Sequence, residues 1–352
     1  MMVDLPSYGP TSRVRLGSFL RSRPLLLNYT GNKTLSDFQV KCILTSHDIS
    51  FAKLRADKQD LLFVDNNNEP IPYWIEKANN TEITVWLKFS KIIPGGEVFW
   101  LYYGNGNFSG MSNVSATFVR VINGLVGSWH LDESSGNIAY DSSGQGNNGT
   151  IYGATWTDGK FGKALDFDGV DDYIEIIHDG SLYVWQGNSP ATFEAWVKPL
   201  FDIPPSNIRS ALQFKDSAGT GRTILYIHKS GNFYSHFGGA GLDSGVSAVK
   251  GQFTHVILRY DGSVLKFFID GVGAGADSRN VDEGAVGAFL LGTHKSLADW
   301  WQGVIDEVRI YNRALSAEEI SDLYNNYGYT TTNYPGKVLV RKYTEVEPFV
   351  SK

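Results

Sequence analysis

The feature that most constrains this chain is a repeated arrangement of short runs with alternating apolar residues, each closed by a glycine-bearing turn. Residues 255–260, the pair Asp261-Gly262 and residues 263–269 are the clearest instance. An Asp-Gly pair between two such runs predicts a hairpin with a type I′ turn, because glycine accepts positive φ without steric cost. Asp270-Gly271 predicts a second turn directly downstream. Phe193, Ala195 and Val197 fall on one face of another run. Residues 83–89 alternate, stop at Pro94-Gly95-Gly96, and are followed by 98–103. That spacing predicts a hairpin as well. Many short strands with turns between them predict sandwiches or jelly rolls. The expected fold class is all-β, with two β-sandwich domains in tandem.

At 352 residues the chain is long enough for two domains of about 100–200 residues each. Residues 105–118 are rich in Gly, Ser and Asn, and place the hinge near 110–124. The expected organisation is an N-terminal arm at 1–20 with Pro6, Gly9 and Pro10, a small sandwich at 21–118, a larger one at 119–329, and a C-terminal extension at 330–352. A strand at 337–343 in that extension is expected to pair with another chain or with a part of the protein beyond this sequence. One helix stands out. Ser316 followed by Glu319 forms a capping box, and Ile320, Leu323 and Tyr324 share a face that would dock it on a sandwich.

Composition removes several function classes. An apolar fraction of 42% with 19% charged residues supports packed cores. A net charge of −6 is a poor balance for holding phosphate backbones, so nucleic acid is not an expected partner. No run of about 18 apolar residues is present, so membrane insertion is not expected. Cys42 shares a strand face with Val40 and Leu44, which predicts a buried, inert thiol. Residues 1–20 carry Arg13 and Arg15 but no apolar core of a secretory signal. A piece of a longer protein, a virion component and a cytoplasmic chain all fit that observation. The Met1-Met2 start leans toward a small complete gene product of viral type.

Four blocks carry a family resemblance. They are 127–133 with 141–150, then 162–173, then 193–198, then 303–316. In this order they resemble laminin-G-like, or concanavalin A-like, jelly-roll domains. The resemblance covers roughly the C-terminal two thirds and implies that the larger sandwich is such a jelly roll. The stretches 37–40, 60–63, 72–76 and 101–105 resemble the domain-of-unknown-function 2341 family, which brings no known chemistry. That pairing implies display outside a cell, on a cell surface or on a virion.

The resemblance also implies a structural calcium ion near one rim. Calcium takes six to eight oxygens from carboxylates, amides and backbone. The candidates are Asp141 and Asn147 in the first block, Asp168 and Asp171, with Asp172 beside them, in the second, and Asp306 in the last. A meeting of Asp141 with Asp306 is the favoured version. The same aspartates are equally suited to capping turns. For sugars, the candidates are flat rings outside the core pattern: Trp300, Tyr234 with His236, and Trp185. In the family register Trp301 takes a core position, which leaves Trp300 the freer ring. Catalysis is not expected. The alternating Glu-x-Asp-x-Glu strand of glucanases is missing, and Asp306 and Glu307 should point to opposite faces of a regular strand. The expected function is a non-catalytic adhesion module that recognises carbohydrate or a surface glycoprotein. The other readings are a structural or assembly protein of a virion or cell-surface layer, engaging other chains through the C-terminal extension, and an accessory binding module of a larger glycoside hydrolase.

Overall fold

The computed structural model describes residues 1–4, 13–178, 180–203, 205–216, 221–237, 240–281, 286–294, 296–297 and 299–351. Its secondary structure is dominated by antiparallel strands. The chain forms two compact units, Met1–Val121 with Leu339–Lys352, and Ile122–Val338. No helix among the described residues is long and apolar enough to cross a membrane.

In the first unit, one sheet has the order Phe349–Ser351, Arg21–Asn28, Glu97–Tyr103, Leu61–Val64. A second has the order Leu35–Thr45, Glu82–Ile92, Tyr73–Ala78. Leu27, Val40, Leu44, Phe63, Val85 and Leu101 fill the shared core. Cys42 is buried there and in no disulfide, between exposed Lys41 and Ile43, as strand alternation requires. The expected hairpin of 83–89 with 98–103 does not form. Glu82–Ile92 pairs with Leu35–Thr45 and Tyr73–Ala78, whereas Glu97–Tyr103 pairs with Arg21–Asn28 and Leu61–Val64. The Gly95-Gly96 turn therefore carries the chain from one sheet to the other. Gly96 has φ 78°, and a Cβ there would lie 2.0 Å from the Leu27 carbonyl oxygen, so no larger residue fits this corner.

Two boundaries differ from the sequence expectation. Within the expected N-terminal arm, Met2–Asp4 pairs with Arg13–Arg15, and Val3 and Val14 join the first core; Pro6, Gly9 and Pro10 lie outside the described residues. Residues 339–352 are no free extension. Phe349–Ser351 adds an edge strand to Arg21–Asn28, and Val350 packs on the first core. Backbone donors and acceptors on an unpaired edge favour this closure.

The second unit is a sandwich of two antiparallel sheets. One has the order Thr155–Asp158, Lys163–Asp168, Gln302–Tyr311, Ala191–Pro199, Thr254–Tyr260, Val264–Ile269, Val272–Ser278, with Leu125–Trp129 also on Gln302–Tyr311. The other has the order Ile138–Ala139, Gly149–Tyr152, Tyr173–Ile177, Val286–Leu291, Arg209–Asp216, Gly221–Ile227, Asn232–His236, Gly241–Ser247. Trp129, Phe167, Phe193, Phe214, Phe289 and Trp301 pack between them. The hairpin at 255–269 forms, but its turn is shifted by one residue. Asp261 N–H donates to the Val264 carbonyl at 3.2 Å, and of the Asp-Gly pair only Gly262 has positive φ, at 99°. Gly262-Ser263 are thus the central residues, as in a type II′ turn. The type I′ signature appears instead at Asp270-Gly271, with φ 48° and 77°. The helix Ala317–Asn325 begins at the expected capping box and buries Ile320 and Leu323.

Candidate functional site

A row of three rings lies on the second unit. Tyr152 and Tyr173 are in-register partners on adjacent strands, so strand geometry puts both side chains on one face. Their rings stack at 4.5 Å with 13° between planes. Trp300 continues the row, 6.1 Å from Tyr173 and tilted by 45°. Tyr152 is exposed, and Tyr173 and Trp300 are half-buried. Trp301, the next residue, is fully buried in the core, so adjacent tryptophans divide between packing and surface. Arg209 donates to the Trp300 carbonyl at 3.0 Å and steadies that loop. Burial, and the neighbouring Tyr152 and Glu175, raise the Tyr173 phenol above its ordinary value.

The row adjoins a group of carboxylates. Asp168, Asp171 and Asp172 each bring one oxygen within 4.8 Å of the others. Asp168 accepts from Val170 N–H and Asp172 from Asp168 N–H, both at 2.8 Å. Asp171 is exposed and makes neither of these turn bonds. Burial, and then the charges of Asp168, Asp171 and Asp166, raise the Asp172 carboxyl. A hard cation would relieve that crowding, and the oxygen-only donor set suits calcium, with water or other oxygens filling the remaining positions.

The favoured calcium pair, Asp141 with Asp306, is not brought together. Asp141 accepts from Ser128 N–H, Ser143 N–H, Ser143 Oγ and Asn147 N–H at 2.9–3.0 Å. Four hydrogen bonds use the acceptor sites of a carboxylate. Asn147 is likewise committed, accepting from Ser181 Oγ at 2.9 Å and donating to the Val126 carbonyl at 3.4 Å. These two residues cap the loop that follows Trp129. Asp306 shares none of those partners. Its Oδ2 accepts from Lys160 and Phe161 N–H at 2.7 and 3.2 Å, while its buried Oδ1 has no hydrogen-bond partner among the described residues.

Asp306 belongs to a buried polar network that the sequence reading missed. Opposite Glu194–Trp196 the strand Gln302–Tyr311 bulges, and Glu307 adopts φ 51°. Regular alternation would send Asp306 and Glu307 to opposite faces. The extra residue cancels that alternation. Glu307 reaches Arg309 and also His130 Nδ1 at 2.9 Å. His130 Nε2 meets Thr330 Oγ1 at 2.7 Å. Arg309 also donates to Glu194 at 2.9 Å, and Glu194 is bonded by His255 Nε2 at 3.1 Å and Tyr311 Oη at 2.7 Å. Helix Ala317–Asn325 roofs part of this network, with Tyr324 stacked on Trp196 at 6.0 Å. His130, Asp132 and Glu307 form a second group of possible metal ligands among the described residues, but the contacts above already occupy both ring nitrogens of His130. The arrangement joins strands and loop and is largely closed to solvent.

Burial, followed by the charge of Glu307, pushes the Asp306 carboxyl well above the usual carboxylate range. The folded state then holds a proton that the unfolded state releases. Stability from this group is complete at acid pH, declines as pH rises above the ordinary aspartate value, and levels off above the raised one. Asp306→Asn keeps an oxygen for Lys160 and Phe161 and removes the charge. Its melting temperature is expected to exceed that of the parent by several degrees at pH 8 and to match it near pH 4. A parallel decline of both proteins with rising pH would show that Asp306 does not carry the effect.

The other ligand candidates fare differently. Trp185 is fully buried against Phe193, Phe214 and Phe237 and cannot meet a ligand. Tyr234 is half-buried and His236 exposed, two residues apart on one strand face. Tyr234 packs on His228 at 4.6 Å and Tyr226 at 5.7 Å. Burial, with Tyr234 and Asp243, pushes the Tyr226 phenol up to about 12. This patch and Tyr173 lie four strands apart in the sheet order, about 19 Å at the usual strand spacing. Trp300 and Tyr234 therefore do not share one subsite. Tyr152 and Tyr173 carried no signal along the chain, because their adjacency depends on which strands pair.

Residues 168–321 match the family model of the concanavalin A-like lectin/glucanases superfamily, and residues 57–134 match a domain of unknown function, number 2341. No curated protein matches the chain. Similar solved structures include domain 4 of AbnA, a GH43 extracellular arabinanase from Geobacillus stearothermophilus, in complex with arabinotriose. It is 24% identical, with a TM-score of 0.44, covering 57% of this chain and 98% of that one. The binding domain of Paraclostridial Mosquitocidal Protein 1 is 16% identical, with a TM-score of 0.47 and 57% and 52% coverage. Trypanosoma rangeli sialidase in complex with the inhibitor DANA is 16% identical, with a TM-score of 0.46 and 70% and 41% coverage.

Proposed function

We propose that the second unit is a non-catalytic carbohydrate-binding module working outside the cell, with its ligand on the Tyr152, Tyr173 and Trp300 row. The observation that carries this reading is the row itself: three neighbouring rings, none fully buried, in a domain matching a lectin and glucanase superfamily. Flat apolar sugar faces stack on such rings, while nearby carboxylates accept from hydroxyls. A calcium ion held by Asp168, Asp171 and Asp172 would fix the turn beside Tyr173 and offer a further contact for hydroxyl oxygens. The ligand is a glycan, free or carried on a surface glycoprotein. The assembly reading relied on a strand at 337–343 engaged by another chain. That strand, Lys337–Arg341, lies in a three-stranded sheet of its own chain, which withdraws that support.

The test is binding to an array of polysaccharides, with and without calcium, for the parent and for Trp300→Ala and Tyr173→Ala. Each substitution is expected to weaken the best ligand about tenfold or more, as loss of a stacked ring would. Asp171→Asn should abolish any calcium-dependent gain without changing the fold. Undiminished binding in both aromatic variants would move the site elsewhere.

A further inference from the structure

The first unit contains a cleft of about 510 Å³ that the carbohydrate reading does not use. Its volume falls in the range of small-ligand sites. Its apolar lining includes Ile71 and Phe89, each only 5% exposed, and Ile93, 45% exposed. Its acidic lining includes Asp65 and Glu97. Asp65 is held by its own turn, accepting from Asn67 and Glu69 N–H at 2.8 Å. Among the described residues, none pairs with the carboxylate of Glu97. Burial, with the charge of Asp65 behind it, raises that carboxyl above its ordinary value. Asp37 and Glu69 also line the cleft, opposed by Lys88 and Lys91. Lys88 is engaged with Asp37 at 3.6 Å, so the formal balance of four carboxylates and two lysines leaves a net −2.

We propose that this cleft binds a primary ammonium group on an aliphatic stem, as in a lysine side chain of a protein partner or a free alkyl amine. The stem lies along Ile93 and Phe89, and the ammonium sits between Glu97 and Asp65. It supplies the positive charge that the half-buried pair lacks and keeps its methylenes out of water. A sugar without an amine satisfies only the polar lining, and an alcohol of the same length only the apolar lining.

Titration of the full chain with 1,5-diaminopentane and with N-acetyl-lysine methylamide, followed by backbone amide shifts, tests this. Saturable shifts at residues 89–97 are expected for both probes, with 1-pentanol giving none. Glu97→Gln should weaken both probes at least tenfold, and Ile93→Ser, at an exposed position, by a smaller factor. Saturation by the acetyl-lysine probe but not the diamine assigns the site to a peptide side chain; the reverse assigns it to free amines. Equal shifts from 1-pentanol, unchanged affinity in Glu97→Gln, or no saturation by either probe would overturn the proposal. The aromatic row lies in the other unit, so neither result depends on the carbohydrate reading.

Discussion

Arg309→Ala is expected to cost the second unit about 3–5 kcal/mol, the usual penalty for removing one partner of a buried ion pair. The guanidinium is fully enclosed between Glu194 and Glu307, both wholly buried, and also donates to the Gly328 carbonyl at 2.6 Å. Burial works against the charge on Arg309, but Glu307 and Glu194 outweigh it and raise its proton affinity. Glu194 shows the reciprocal effect. Burial would raise its carboxyl, yet Arg309 and the bonds from His255 and Tyr311 hold it below the ordinary glutamate value. A depressed carboxyl contributes stability that is present above its unfolded value and lost as pH falls. Without Arg309, two buried carboxylates face each other uncompensated. The deficit of the variant should therefore be largest near neutral pH and shrink in acid, as those carboxylates take up protons. Arg309→Lys should rescue little, because one ammonium cannot reproduce the fork that reaches both glutamates. Denaturant unfolding of the second unit reads the loss directly. A loss below about 1 kcal/mol would mean that the network is not coupled to stability.

Deleting residues 339–352 should destabilise the first unit by on the order of 3 kcal/mol. Three independent contacts go with the segment. Strand Phe349–Ser351 leaves the edge of Arg21–Asn28. Lys342 N–H leaves the Oε1 atom of Gln39, a side chain with no exposure, and an orphaned buried acceptor costs about 1–3 kcal/mol. Arg341 leaves the Trp86 ring, 5.5 Å away, a contact of about 0.5–2 kcal/mol. Calorimetry of the truncated chain should show the transition of the first unit shifted down by many degrees. An unshifted transition would mean that the segment only decorates that unit.

Much of this was legible along the chain. Alternation at period two placed Val40, Cys42 and Leu44 inside and identified strands in both units. Turn chemistry located both Asp-Gly corners, and the capping box located the helix to within a residue. These features depend on neighbours within a few positions, where backbone sterics and local hydrogen bonds decide the outcome. The failures are equally specific. Residues 83–89 and 98–103 read as a hairpin because the local pattern is the same whether a turn folds a strand back or passes it to the opposite sheet. Asp141 and Asp306 read as metal ligands because a carboxylate looks the same in sequence whether it binds an ion or four N–H and O–H groups.

Local pattern was enough for the class of the fold, the positions of the Asp-Gly turns and the helix cap, while the division of Trp300 from Trp301 came from the family register. Only the tertiary structure decided the rest. It set Tyr152 against Tyr173 and joined Glu194 to Arg309, pairings between residues 21 and 115 positions apart. Those contacts follow from strand order and register, and the single extra residue at Glu307 redirected a whole set of carboxylates. A one-residue change of register reverses which face a side chain occupies, and no local pattern records it.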